Sequence, residues 1–215
     1  MKIRSQTELQ DFLDNNLSKR KKELTTYKFT ISSARDHEKG PLLRGAIPLV
    51  YAHWEGFIKY SSIAYLDFIA RKSPVLNSLK SNFMAVALRD KIVTTARSKK
   101  TELHEDLISF ILENLDKNIS FDPITVIDTE SNLSSSVLKN IMFTVGFDFD
   151  EVWEKKIQQI DSKLLKHRNE IAHGELIEIS EEIYEELHNF VLNTLEQYKT
   201  LIENAAYTSN YQKTS

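Results

Sequence analysis

No cysteine occurs in this 215-residue chain, which excludes disulfides and thiolate metal sites and fits a reducing compartment. Glycine and proline are also scarce, at 5 and 4 residues. So few punctuating residues favour long helices over a many-turned β fold. There is no glycine-rich phosphate loop and no obvious nucleophile motif. Long apolar runs are missing too. The most apolar region, Ile47 to Ala70, is interrupted by Glu55, Lys59 and Asp67, which argues against a membrane span and for a helix buried inside a bundle. The opening Met1-Lys2-Ile3-Arg4-Ser5-Gln6 turns polar at once, without the apolar core of a signal peptide. A cytoplasmic protein with no membrane partner is the expectation. The net charge of −3 gives no global pull toward nucleic acid. Any such binding depends on local patches, namely Lys19-Arg20-Lys21-Lys22, Arg97-Ser98-Lys99-Lys100 and Lys166-His167-Arg168. Taken alone, each reads as a solvated helix face.

What is present is helical periodicity. Ser5 and Glu8 have capping-box spacing, and Leu9, Phe12, Leu13, Leu17, Leu24 and Tyr27 follow at helical intervals, predicting a long first helix as far as Ala34. Gly40-Pro41 is expected to break the chain. The next helix, with Pro48 early in it, is apolar almost all round and is expected to be the central one, ending at Ser73-Pro74. Two helices are predicted over Phe83–Ala96 and Leu103–Leu115, and mild strand character over Asn118–Glu130. A short helix should open after Asn132-Leu133-Ser134 and close at Gly146. The next begins at acidic Asp148–Glu151, where the helix dipole favours negative charge. Ser180 caps the last helix. The expectation is one all-α domain over residues 1–207, with long first, central and C-terminal helices, followed by a disordered polar tail over 208–215.

The chemical potential is concentrated in Arg168-Asn169-Glu170-Ile171-Ala172-His173-Gly174. A permanently charged guanidinium binds phosphate well, and an imidazole moves protons near neutral pH. On an α-helix, five residues rise about 7.5 Å and rotate about 140°, so Arg168 and His173 of one chain do not share a face. Two such helices packed antiparallel would line one groove with four of these groups. Gly174 suits the left-handed conformation that ends a helix, placing His173 in the last turn. Asn169 can fix a phosphate or a tautomer.

On the central helix Glu55, Lys59 and Ser62 form one polar stripe. It reads either as an i,i+4 ion pair or as a charged wall facing a cleft, and both readings stay open at this point. Glu170-x-x-His173 and Glu185-x-x-His188 have the spacing of helical-bundle di-iron sites, with Glu55 as a third carboxylate, but a fourth ligand is lacking. No metal and no cofactor are therefore expected.

The segment Arg168–Gly174 resembles the Arg-x4-6-His motif of the HEPN superfamily, in which a polar residue such as Asn169 tends to follow the arginine. Ala52-His53-Trp54-Glu55-Gly56-Phe57-Ile58-Lys59 resembles the MAE-type branch of that superfamily. So does Asp128-Thr129-Glu130-Ser131-Asn132-Leu133, followed by Val137-Leu138 and Val145-Gly146-Phe147-Asp148. Together these segments cover roughly residues 45 to 190. The resemblance implies a HEPN-like helical bundle that forms a homodimer with a composite site, and a metal-independent endoribonuclease of a toxin–antitoxin or antiviral system, with an antitoxin as a partner. It implies that His173 is general base or acid on the ribose 2′-OH and the leaving oxygen. Arg168 would bind the scissile phosphate, Asn169 would support it, and Glu55 and Lys59 would line the cleft. RNA would be left with 2′,3′-cyclic phosphate and 5′-OH ends. The alternative is a non-catalytic HEPN-like dimer that binds a nucleotide, RNA or protein.

Overall fold

A computed structural model describes residues 2–213. The helices are α1 (Gln6–Ser33), α2 (Asp36–Lys72), α3 (Ser81–Ala87), α4 (Arg89–Ala96), α5 (Thr101–Asn114), α6 (Ser135–Thr144), α7 (Glu151–Glu154), α8 (Lys166–Ala172) and α9 (Glu181–Tyr207). A π-helical segment, Gln158–Leu165, leads directly into α8. No strand forms among the described residues; two isolated β-bridges join Val75 to Asn118 and Leu79 to Gln212.

The helix starts are set locally. Ser5 Oγ accepts the Glu8 N–H at 3.0 Å, and the Glu8 carboxylate accepts the Ser5 N–H at 3.2 Å, the reciprocal capping box its spacing predicts. Asp150 caps α7 by accepting the Val152 and Trp153 N–H groups, and Ser180 caps α9 by accepting the Ile183 N–H. The central α2 is apolar all round. Trp54, Phe57, Ile58, Tyr65 and Leu66 are fully buried, and the helix packs against α1, α9 and α8. Burying one such large side chain stabilises by roughly 1.5–3 kcal/mol, so α2 is the element around which the others organise.

Three expectations are corrected. The chain does not break at Gly40-Pro41, since both lie inside α2. The break falls at Ala34 and Arg35, both extended, where the Glu38 carboxylate accepts the Arg35 N–H at 2.9 Å and starts α2. The backbone bonds lost at Pro41 and Pro48 are local, and burial of Leu43, Ala46, Ile47 and Val50 across that stretch carries the helix through. Residues 118–130 are irregular rather than extended, apart from the single bridge of Asn118 to Val75. The stretch from Thr208 is packed, not disordered, as far as Lys213. Tyr211 is buried against Phe83 and its carbonyl accepts the Lys80 N–H at 2.9 Å, while Lys213 N–H donates to Ser78 O at 2.8 Å. One contiguous hydrophobic core runs from Ile3 to Tyr211.

Candidate active site

Arg168 projects from the first turn of α8, half-buried. Its guanidinium carbon lies 4.5 Å from the centroid of the Tyr51 ring on α2, within the range of a cation–π contact. Nη1 donates to Asn169 Oδ1 at 2.7 Å and to Asn132 Oδ1 at 3.4 Å, and Nη2 donates to the Ser131 carbonyl at 3.2 Å. The arginine is thus stacked on one helix and forked into the loop that precedes α6.

That loop is pinned at four points. Thr129, itself buried, donates its hydroxyl to Glu55 Oε1 at 2.6 Å. Leu133 N–H donates to the Tyr51 hydroxyl at 2.5 Å. Asp161, in the π-helical segment, accepts from both the backbone N–H and the hydroxyl of Ser135. The fourth point is Arg168 itself. Between these anchors Glu130 and Ser131 both take positive φ, 54° and 55°, a conformation that is uncommon away from glycine and clusters at functional sites. The strain turns the Ser131 carbonyl and Asn132 toward the guanidinium. π-helical turns also concentrate at functional sites, and here the turn carries the carboxylate that fixes the loop.

Tyr51 is 2% exposed. Burial, reinforced by the nearby Glu55 carboxylate, pushes its phenol up to about 12. It therefore holds its proton, and the uncharged ring face serves the arginine.

The helix end behaves as its glycine predicts. Gly174 has φ +86°, its N–H donates to Ile171 O, and Glu175 N–H donates to Glu170 O at 2.9 Å. That double bond is a Schellman motif. It leaves His173 exposed as the C-terminal cap, with no side-chain hydrogen bond, ion pair or ring contact to any described residue.

The structure therefore brings together Arg168, Asn169 and Glu55, and leaves His173 and Lys59 outside the cluster. Glu55 bonds to Thr129 and not to Lys59, which removes the i,i+4 ion-pair reading. Ser62 leaves the polar stripe altogether, buried against the Tyr198 hydroxyl at 2.6 Å. Tyr51 and Asp161 were not singled out by sequence, and Thr129, Ser131 and Asn132 stood out only within the segment Asp128–Leu133, without roles of their own. The signal for Tyr51 was its place four residues before Glu55, on the same helix face.

The second Glu-x-x-His pair is engaged in other contacts. Glu185 pairs with Lys28 at 3.1 Å, and His188 is buried beside the Tyr184 ring. No group of three or more His, Asp or Glu side chains is placed to hold a metal among the described residues.

An all-helical bundle is the fold of a HEPN domain, and this one carries Arg-x4-His at a helix end, its arginine held by the central helix and the loop before α6. The chain matches the RiboL-PSP-HEPN family over residues 15–204, and it belongs to that family. The match lends no support to the MAE-type branch that two segments resemble. HEPN domains are commonly RNases, and they often bind RNA and dimerise. No curated protein and no solved structure gives a match. No helix among the described residues is long and apolar enough to cross a membrane.

Proposed function

We propose that this chain is a metal-independent endoribonuclease whose active site is completed by a second copy of the chain. The observation that carries the reading is the split between the two motif residues. Arg168 is positioned by contacts within its own chain, whereas His173 stands exposed at the end of α8 with nothing in that chain to act on. Two α8 ends meeting across a two-fold axis would place both histidines beside the two arginines.

In that groove Arg168 binds the scissile phosphate and offsets the charge that develops on it. One His173 takes the proton from the ribose 2′-OH as its oxygen attacks phosphorus. The other His173 gives a proton to the departing 5′ oxygen. The P–O5′ bond breaks as the P–O2′ bond forms, leaving a 2′,3′-cyclic phosphate and a 5′-OH. The attacking 2′-OH restricts the reaction to RNA. Asn169 holds the guanidinium, and Glu55 acts through Thr129 on the loop. An effector of a toxin–antitoxin or antiviral system, restrained by a partner protein, fits such an activity.

The test is incubation of labelled RNA with purified protein in chelator, with mapping of product ends. Cleavage to cyclic phosphate, abolished in Arg168→Ala and in His173→Ala, is the expected result. Uncut RNA bound equally by all three proteins would replace this reading with a non-catalytic RNA-binding dimer.

A further inference from the structure

A second guanidinium–imidazole cluster lies between α1 and α2. His53 is two residues from Tyr51 on α2, a rotation of about 200°, so it faces away from Arg168. Arg20 on α1 donates Nε–H to Asn16 Oδ1 at 2.7 Å and Nη1–H to the His53 carbonyl at 3.2 Å, and Nη1 is 3.3 Å from His53 Nδ1. Arginine only donates, so Nδ1 is the acceptor and His53 carries its proton on Nε2. Burial pulls the imidazole below its ordinary value, in keeping with that neutral form.

The Nε2 atom is sealed from solvent and has no hydrogen-bond partner among the described residues, His53 being only 8% exposed. Glu23 Oε2 is 3.5 Å away but does not complete a bond. A buried donor left this way is costly, and a ligand oxygen would recover that cost. The guanidinium is equally constrained. Its Nη edge is turned to Gly56, where a Cβ would meet Nη2 at 2.9 Å and Nη1 at 3.0 Å. Only the bare α2 backbone admits it, and Nη2 makes no hydrogen bond among the described residues.

Both groups line a cleft of about 380 Å³ that Phe12, Asn15, Lys19 and Glu23 complete. That volume is at the small end of the range for ligand pockets, roughly 300–1,000 Å³. Beside its donors and positive charges stand the Asn15 amide and the exposed Glu23 carboxylate, which lies next to the unpaired Nε2–H. A fixed arginine Nη2 donor, an imidazole N–H and a lysine suit an acceptor-rich dianion with tetrahedral oxygens. Phe12 adds an apolar wall.

We propose that this cleft binds a phosphate monoester, with the phosphoryl oxygens on Arg20, His53 Nε2–H and Lys19 and the organic group against Phe12, displacing Glu23. The site is separate from Arg168 and needs no cleavage there.

Calorimetric titration of the full chain with phenyl phosphate, inorganic phosphate and phenol tests it. A 5′-phosphorylated RNA oligonucleotide and its 5′-hydroxyl twin distinguish a small ester from an RNA end. Phenyl phosphate should bind more tightly than inorganic phosphate, phenol should not bind, and the His53 Nε2–H proton resonance should shift. Preference for the phosphorylated oligonucleotide over phenyl phosphate would assign the same site to RNA 5′ ends. Lys19 and Glu23 are exposed, so both can be changed without disturbing the core. Lys19→Gln should weaken binding and Glu23→Gln should tighten it, each by roughly twofold to fivefold. Arg168→Ala should bind as wild type. Absence of binding at millimolar phenyl phosphate, indifference to both surface variants, or loss of binding in Arg168→Ala would overturn the proposal.

Discussion

Arg168 rests on the face of Tyr51, 4.5 Å from its centroid, while the hydroxyl of the same tyrosine accepts the Leu133 N–H at 2.5 Å. One side chain therefore supports the arginine and fastens the loop that the arginine grips.

The two roles of Tyr51 separate by mutation. Tyr51→Phe keeps the ring beneath Arg168 but leaves the buried Leu133 N–H unpaired, an expected loss of about 1–3 kcal/mol in urea denaturation. Tyr51→Leu also removes the cation–π contact, worth about 0.5–2 kcal/mol, and frees the guanidinium. RNA cleavage, measured under conditions where both variants are fully folded, should fall further in Tyr51→Leu than in Tyr51→Phe. Equal activities would show that the stack does not position Arg168.

Asp161 is the clearest positioning residue, since it touches neither Arg168 nor His173 and holds the loop through Ser135. Asp161→Ala removes both acceptors and the negative charge at the start of α6, at an expected cost of about 1–3 kcal/mol. Asp161→Asn should recover part of this, because an amide oxygen still accepts the Ser135 N–H. Amide exchange over residues 129–134 should speed up in Asp161→Ala and less in Asp161→Asn, with cleavage falling in the same order. Faster exchange with unchanged cleavage would separate the loop from the chemistry.

What sequence made legible follows the range of the interactions. The caps at Ser5, Ser134, Asp150 and Ser180 act within three residues, and the apolar run of α2 announces its own burial. Arg168, Asn169 and His173 stand in one helical turn or the next, so their spacing alone drew notice. Glu55 was found, but its partner Thr129 lies 74 residues away, which left the pairing with Lys59 open. Tyr51 reads as core because its ring is core; only its hydroxyl and its face reveal a second role. Pro41 misled because proline reports a lost hydrogen bond and cannot report that Leu43, Ala46 and Ile47 outweigh it. The packed Tyr211 was hidden by polar neighbours, since one aromatic carries the docking of that tail.

Two glycines with positive φ should respond differently to alanine. Gly174, at +86°, has open space where a Cβ would go, whereas a Cβ on Gly146, at +78°, would meet the Phe83 ring at 2.8 Å. Gly174→Ala carries backbone strain alone, about 1–2 kcal/mol. Gly146→Ala adds overpacking against a buried ring, typically a further 1–3 kcal/mol. Thermal denaturation should therefore order the midpoints as wild type, Gly174→Ala, Gly146→Ala. The reverse order would mean that Phe83 moves aside freely.

Acid should weaken the fold through two buried histidines. Burial lowers His53 and His188 below the ordinary 6.5; Glu23 and Glu185 oppose the shift, and Arg20 and Lys28 add to it. Below pH 6.5 the unfolded chain takes up protons that these folded rings refuse, so the neutral rings' contribution is complete above that pH and is lost as pH falls. Within the window each histidine contributes a slope of up to about 1.4 kcal/mol per pH unit. Urea unfolding free energies from roughly pH 7.5 to 5.5 should fall in the wild type, in the range where histidine titrates. His53→Gln and His188→Gln should each flatten the curve by up to one proton, even if both lower stability at neutral pH. A slope unchanged in both variants would assign the acid sensitivity to other groups.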